Sequence, residues 1–274
     1  MIKAEHNRGP RLPMEYAMRH AMLALLLTLP FPAVATAQVA DLHSGAITAA
    51  VQKGVDDPAR AADKHEDARR KLALVMTFAE VKPGQNVLEL VPGSGYWTRA
   101  FSAIVGPAGH VYTVWPDEMG KYSAKSMANW QKLAATPHYA NVSLLQQPAA
   151  KLSVPAPVDL VFTSQNYHDY LNPSMGPVDM VKFDREVFAA LKPGGLFVVI
   201  DHAAPAGSGA TDTNTLHRVD PALVKKQVEE AGFVFDGQSE ALHNPKDPHD
   251  IKVFDPSIRG HTDQFIYRFR KPAQ

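Results

Sequence analysis

Residues 87–98, V-L-E-L-V-P-G-S-G-Y-W-T, constrain this chain more than any other stretch. The apolar run 86–90 has the length of a buried strand, Pro92-Gly93-Ser94-Gly95 forces a tight turn, and 96–105 resumes at helical spacing. A strand, a glycine turn and a helix start make a nucleotide pocket. Glycine lets a ligand approach the backbone closely, and the helix start offers unpaired N–H groups. Glu89, at the carboxyl end of the strand, is placed to hold a polar or cationic part of that ligand.

The rest of the chain alternates in the same way. Asp56-Asp57-Pro58 reads as a cap with proline in the first turn, and Leu72, Leu74, Val75 and Phe78 recur at helical intervals until Pro83-Gly84. The charged residues 60–71 read as a solvated face, with a lid over the pocket as the alternative. Strands are expected at 110–115, 142–145, 158–164, 196–200, 233–239 and 264–270, and helices at 119–134, 178–191 and 220–231. Strand, helix and strand in alternation imply a mostly parallel α/β sheet. Residues 243–263 form a long polar insertion, and loops of that length in a compact domain tend to be functional.

Polar residues just past the fourth strand lie in the crevice where open α/β sheets bind ligands, so Asn166, Tyr167, His168 and Asp169 are expected to face a substrate. A nicotinamide or flavin fingerprint requires G-x-G-x-x-G or A, and Thr98 occupies its last position, which disfavours an oxidoreductase.

Glu89, Gly93 and Gly95 resemble motif I of the class I S-adenosylmethionine-dependent methyltransferases, an acidic residue followed by x-G-x-G-x-G, with Val91 in place of the first glycine. L-K-P-G-G before an apolar strand, at residues 191–195, is a second feature of that family. Together with the leader, S-Q-N-Y-H-D, L-H-R-V-D and R-G-H-T-D-Q-F, these motifs are similar to a family of exported bacterial proteins known as predicted methyltransferases. The resemblance spans about residues 57–272. It implies a Rossmann-like fold: a mostly parallel seven-stranded sheet with an antiparallel last strand and helices on both faces. It also implies S-adenosylmethionine as cofactor, with Glu89, Val91, Pro92, Gly93, Gly95 and Tyr96 around the donor. Asp117 or Glu118 would take the ribose hydroxyls and Trp115 the adenine face. Near the adenine amino group, where the family often has an acidic residue, this chain offers Gln146 and Gln147, and Ser164 and Asn166 would also contact the donor.

Methyl transfer from a sulfonium is an in-line displacement, so the protein holds donor and acceptor in near-attack geometry and removes a proton where the acceptor requires it. His168, His202 and His217 are candidate bases, and His168, with Asp169 and Tyr167, lies nearest the expected methyl group. Tyr167, Tyr170 and Trp97 are candidates to line an aromatic acceptor site. Asp169 and Asp201 fall where some catechol methyltransferases hold magnesium, although His168, His202 and His217 beside them would suit zinc or iron better. No short-range ligand pair marks a metal site in this region, and none is assigned. The second functional reading is a secreted small-molecule binding protein that keeps this fold without transfer activity.

Arg19-His20, an apolar run over 21–31 and the small-residue site Ala35-Thr36-Ala37 have the three-part form of a secretory signal peptide ending at residue 37. A flexible lead or short helix over 38–56 and a methyltransferase-like domain over 57–274 would follow. That places the protein in the periplasm or outside the cell, with no membrane span left after cleavage. The leader holds Lys3, Arg8, Arg11 and Arg19 against Glu5 and Glu15. Because the whole chain has 28 basic and 28 acidic residues, the cleaved chain is acidic by about two charges. Nucleic acid, which needs a clustered positive surface, is thereby disfavoured as a partner, and a small-molecule acceptor is expected. Oligomeric state is not legible.

Overall fold

The structure, a computed structural model, describes residues 48–273. The signal-peptide reading and the first part of the lead lie outside the described residues. From Thr48, whose side chain accepts the N–H of Val51, the chain enters α1 (Ala49–Asp56). A single 3-10 turn, Pro58–Arg60, leads to α2 (Lys64–Arg70) and α3 (Leu72–Phe78), with Lys71 between them in the left-handed region.

The sequence reads residues 60–71 as a solvated face; α2 has no buried residue, as that reading expects, but Arg60 and Asp63 depart from it. Arg60 is fully buried; it donates to the carbonyls of Gly54 and Val55 and makes a two-nitrogen contact with Asp67. Asp67 also accepts the Tyr96 hydroxyl at 2.7 Å, and Asp63 pairs with Arg99. These two charged residues are buried because each is paired, Arg60 with Asp67 and Asp63 with Arg99 of the helix after β1.

The remaining elements alternate as expected. They are β1 (Asn86–Leu90), α4 (Tyr96–Val105), β2 (His110–Pro116), α5 (Gly120–Ala134), β3 (Val142–Gln147) and β4 (Val158–Ser164), then α6 (Tyr167–Tyr170), α7 (Met180–Ala190) and β5 (Leu191–His202). The chain ends in α8 (Thr213–Leu216), α9 (Pro221–Glu230), β6 (Val234–Ser239) and β7 (Gln264–Arg270). Asp179 and Asp220 cap α7 and α9 with their carboxylates, Pro221 taking the first position of α9. β5 begins earlier than expected. Leu191 already pairs with Val158, and a register shift between Val158 and Leu160 absorbs the Pro-Gly-Gly segment.

The seven strands form one sheet in the order β3-β2-β1-β4-β5-β7-β6, parallel except that β7 runs antiparallel to β5 and β6. Successive strand residues feed opposite cores: Leu88, Val161 and Val199 face one, and Val87, Phe162 and Val198 face the other. Apolar cover on both faces explains strands that read as continuous hydrophobic runs. From β1 the chain winds outward one way through β2 and β3, then returns to β4 and winds the other way. The carboxyl ends of β1 and β4 therefore flank the switch point where such sheets bind ligands.

Gly93 and Gly95 both sit at positive φ in the turn after β1, but their surroundings differ. A Cβ on Gly95 would lie 1.8 Å from the Trp130 indole, whereas one on Gly93 would meet nothing within 4 Å. Gly95, expected from the sequence to clear space for a ligand, instead admits Trp130 of α5. Gly95→Ala is therefore expected to lose about 3 kcal/mol, from backbone strain plus overpacking, and Gly93→Ala only about 1 kcal/mol, from strain. Urea midpoints at constant slope would separate the two.

Candidate functional site

The turn after β1 keeps a glycine's shape without the glycine. Val91 has φ +50°, the left-handed region that a β-branched residue rarely adopts, and its N–H donates to the Val114 carbonyl of β2 at 2.9 Å. Gln165, the residue after β4, is also left-handed, with its N–H on the Ile200 carbonyl. Strain at the ends of two neighbouring central strands marks the crevice as a place where the surroundings over-determine the backbone. Asn166 joins the two ends, donating its side-chain amide to the carbonyls of Val91 (3.2 Å) and Ser164 (2.6 Å).

From this point a cavity of about 520 Å³ opens. Glu118 and Met119 line its β2 side, Asn166 its middle, and His168, Asp169 and His217 its far side. Met175, Val253 and Phe254 supply an apolar wall.

The polar end is built on Asp201, a fully buried carboxylate near the end of β5. One of its oxygens accepts the His168 backbone N–H at 2.8 Å, and the other accepts His168 Nδ1 and the His202 N–H, each at 2.8 Å. Burial alone would raise the Asp201 pKa, but the His168 ring and these hydrogen bonds hold it below its ordinary value. Burial conversely opposes a charge on His168, and the Asp201 and Asp169 carboxylates overcome it, so its pKa is raised.

Because Nδ1 faces a carboxylate, the neutral ring carries its lone pair on Nε2. That nitrogen lies 3.2 Å from His217 Nδ1 and 3.3 Å from an Asp169 oxygen. Burial raises the Asp169 pKa, with Asp201 adding to the rise, and lowers that of His217, with His168 and Lys252 adding to the fall. His202, its Nδ1 against the Thr262 hydroxyl, is pushed down to about 4 by burial and stays neutral.

His217 reaches this group from a distant part of the chain. It is the left-handed residue that ends α8, and its neighbour Arg218 anchors it. Arg218, fully buried, makes a two-pronged pair with Asp247 at 2.9 Å and donates to the carbonyls of Ala203 and Ile251. That pair fastens the insertion over the cavity, where Phe254 lies against the His217 ring, 4.8 Å between centroids.

Several expected site residues lie elsewhere. Tyr167 is in the core, with its hydroxyl on Asp184 at 2.7 Å and on Gln227; it holds α6 to α7 and α9 and does not reach the cavity. Tyr170 and Trp97 are also core residues, so the aromatic side of the cavity is Phe254 instead. Trp115 is packed in the core beside Leu90 and Val91, not open to an adenine face. β2 runs one residue longer than expected, through Pro116, which leaves Asp117 exposed to solvent and brings Glu118 to the cavity. Tyr96 spends its hydroxyl on Asp67.

Glu89, 2% exposed, accepts the Thr98 hydroxyl and binds β1 to α4. Pro92 is buried, Gly93 is partly open, and Ser164 gives its carbonyl to Asn166; contrary to expectation, none of Glu89, Val91, Pro92, Gly93, Gly95, Tyr96 and Ser164 lines the cavity, because the turn packs against α4 and Trp130. Gln147 accepts the Ser153 N–H, while its side-chain nitrogen is buried without a partner among the described residues, a free donor at the end of β3. The apolar wall escaped sequence reading, although the length of the insertion signalled a functional loop.

Residues 62–217 match the ubiE/COQ5 methyltransferase family, more than half of the chain. The chain belongs to that family. Among curated relatives, the ubiquinone/menaquinone biosynthesis C-methyltransferase UbiE of Photorhabdus laumondii is 29% identical over 174 residues, 61% of this chain and 63% of that one. The UbiE of Vibrio cholerae is 33% identical over 129 residues, 45% of this chain and 44% of its own. The chain thus spans about half to two thirds of the length of the curated relatives it matches.

Its fold is that of the class I methyltransferases. A SAM dependent methyltransferase from Aquifex aeolicus superposes with a TM-score of 0.50 and 21% identity, covering 80% of this chain and 96% of that one. The [4+2]-cyclase SpnF superposes with a TM-score of 0.53 and 17% identity, covering 82% and 92%. Membership of the ubiE/COQ5 family makes S-adenosylmethionine the cofactor, as the motif resemblance implied.

Burial pushes Glu89 up to about 8, against the Thr98 hydrogen bond and Arg99, which lower it. With the folded pKa above the unfolded one, the native state binds more protons between pH 4.5 and about 8, and this residue's contribution to stability falls as pH rises through that window. Glu89→Gln keeps the Thr98 bond but removes the ionisation. The stability of the variant minus that of the wild type is therefore expected to grow in the variant's favour from pH 5 to 8 and to flatten above, as measured by urea unfolding at each pH.

Proposed function

We propose that this chain is an S-adenosylmethionine-dependent methyltransferase acting on a small, aromatic acceptor, and that it works outside the cytoplasm after cleavage at residue 37. The observation that carries the transfer reading is the continuity of one cavity. It runs from Glu118 and from Asn166, whose side chain is tied to the Val91 carbonyl of the glycine turn, to the Asp201-supported His168 with Asp169 and His217. Gly93 is open and partly exposed at the turn, and Gln147 offers an unpaired donor where the adenine edge would lie. The Phe254 ring and the side chains of Met175 and Val253 suit a flat apolar acceptor.

S-adenosylmethionine, held by residues such as Glu118, Asn166 and Gln147, would supply an electrophilic sulfonium methyl for in-line transfer to the acceptor's nucleophilic atom, its sulfur keeping the C–S electron pair. The protein's part is to bring the two atoms within about 3–3.5 Å, and the His168 group activates the acceptor. The relatives named UbiE methylate carbon in ubiquinone and menaquinone biosynthesis; a quinol-like ring is the acceptor class to try first.

The second reading, a secreted binding protein without transfer activity, draws on the Trp130 indole filling the space at Gly95 and on a cyclase sharing this fold, since function resides in the site and not in the fold. Thermal shift with S-adenosylmethionine and S-adenosylhomocysteine, followed by mass spectrometry of candidate acceptors, discriminates the readings. A donor at 100 times its dissociation constant is expected to stabilise the protein by about 2.7 kcal/mol. His168→Ala is expected to bind donor within about twofold of wild type while turnover falls by roughly 10²–10⁴. No shift with either nucleotide would remove the transferase reading, and unmethylated acceptors despite a shift would favour the binding protein. For the location, the expected result is a periplasmic protein beginning at Gln38; a full-length cytoplasmic product would overturn it.

A further inference from the structure

We propose that His168, Asp169 and His217 hold a divalent zinc-type ion at the acceptor end of the crevice, with a coordination position open to an acceptor oxygen. The role given to the open position rests on the transferase reading; the ion site itself does not.

Three observations converge on it. First, the donor atoms are spaced for an ion. His168 Nε2 lies 3.2 Å from His217 Nδ1 and 3.3 Å from an Asp169 oxygen, and the last two are 4.0 Å apart. The in-plane point equidistant from all three lies about 2.1 Å from each, so an ion displaced out of that plane, as tetrahedral coordination requires, stays within about 0.2 Å of the bond lengths of zinc to imidazole nitrogen and carboxylate oxygen. Second, Asp201 gives His168 the outer partner that metal-binding imidazoles almost always have. Its carboxylate on Nδ1 at 2.8 Å fixes the ring and leaves Nε2 as the lone-pair nitrogen aimed at the other two. Third, His217 is held there at a conformational cost, left-handed at φ +57° and clamped through buried Arg218.

Two imidazoles and one carboxylate favour zinc or iron over magnesium, which prefers oxygen donors. Asp201 cannot pair with Asp169 to ligate magnesium, because both its oxygens already accept from His168 and one also from the His202 N–H. Three protein ligands leave a tetrahedral ion one position, and the cavity supplies the space for it. The acceptor class that follows carries a hydroxyl on an aromatic or enolic system. Bound to the ion, that hydroxyl loses its proton to solvent more readily.

The test uses the full chain after chelation, titrated with zinc by calorimetry, and cobalt(II) as a spectroscopic probe. One ion per chain is expected, with the visible bands of a low-coordinate cobalt centre. His217→Ala, whose side chain is partly exposed, and Asp169→Asn should weaken zinc binding by roughly tenfold or more. Asp201→Asn, which leaves all three ligands in place, should weaken it by about 10–100-fold. His249→Ala, which alters the separate His243–Asp263–His249 cluster, should leave it unchanged.

Zinc binding that survives both His217→Ala and Asp169→Asn, or that is lost in His249→Ala, overturns the proposal, as does no binding at micromolar zinc. Thermal shift with S-adenosylmethionine on the chelated protein separates this from the transferase reading. A donor shift without zinc binding removes the ion alone; zinc binding without a donor shift removes the transferase reading and leaves the ion site standing.

Discussion

The carboxylate of Asp201 is the fixed point of the functional end of this molecule. A carboxylate with no solvent exposure is costly unless its lone pairs are taken, and here two backbone N–H groups and one imidazole nitrogen take them. Two of those donors belong to His168 at the start of α6, and one to the last residue of β5. The bonding therefore sets where α6 sits above the sheet and which way the ring of His168 turns. Asn166, two residues earlier, reaches across to the Val91 carbonyl, so the same short segment also fixes the end of β1. The turn after β1 and the His168 group are registered to each other through residues 164–168.

The sheet was legible because each strand is covered on both faces and so reads as a short apolar run between turn residues. All seven runs became strands, with boundaries moving by only a few residues. The N-terminal helices were less legible. Residues 60–71 look solvated in sequence because charge density is visible there and pairing is not. Only the folded chain shows that Arg60 meets Asp67 and that Asp63 meets Arg99 of another helix. Glycine was similarly ambiguous: a close approach at Gly95 was expected, but a tryptophan 35 residues further on, and not a ligand, makes it.

The candidate site divides along the same line. His168 and Asp169 follow β4 directly, and the position of ligands in open α/β sheets was enough to find them. Tyr167 shares that loop, yet a helical turn directs it inward to Asp184, and single-residue orientation in a short helix cannot be read from composition. Asp117 was displaced by one residue because β2 pairs as far as Pro116 with Gln147. His217 was recognised as a histidine with potential, but its meeting with His168 depends on a bridge between Ala203 and Val219 and on the Arg218–Asp247 pair. Those contacts join segments separated by tens of residues.

That buried arginine has a further implication. It grips the insertion near its base, at Asp247 and the Ile251 carbonyl, while the crest that carries Val253 and Phe254 makes the apolar wall of the cavity. Anchorage and cavity lining thus fall to different residues of one segment. Relatives could exchange the crest, and with it the shape of molecule admitted, without disturbing either the sheet or the turn after β1, so this canopy is the part of the architecture on which diversification would act at least structural cost.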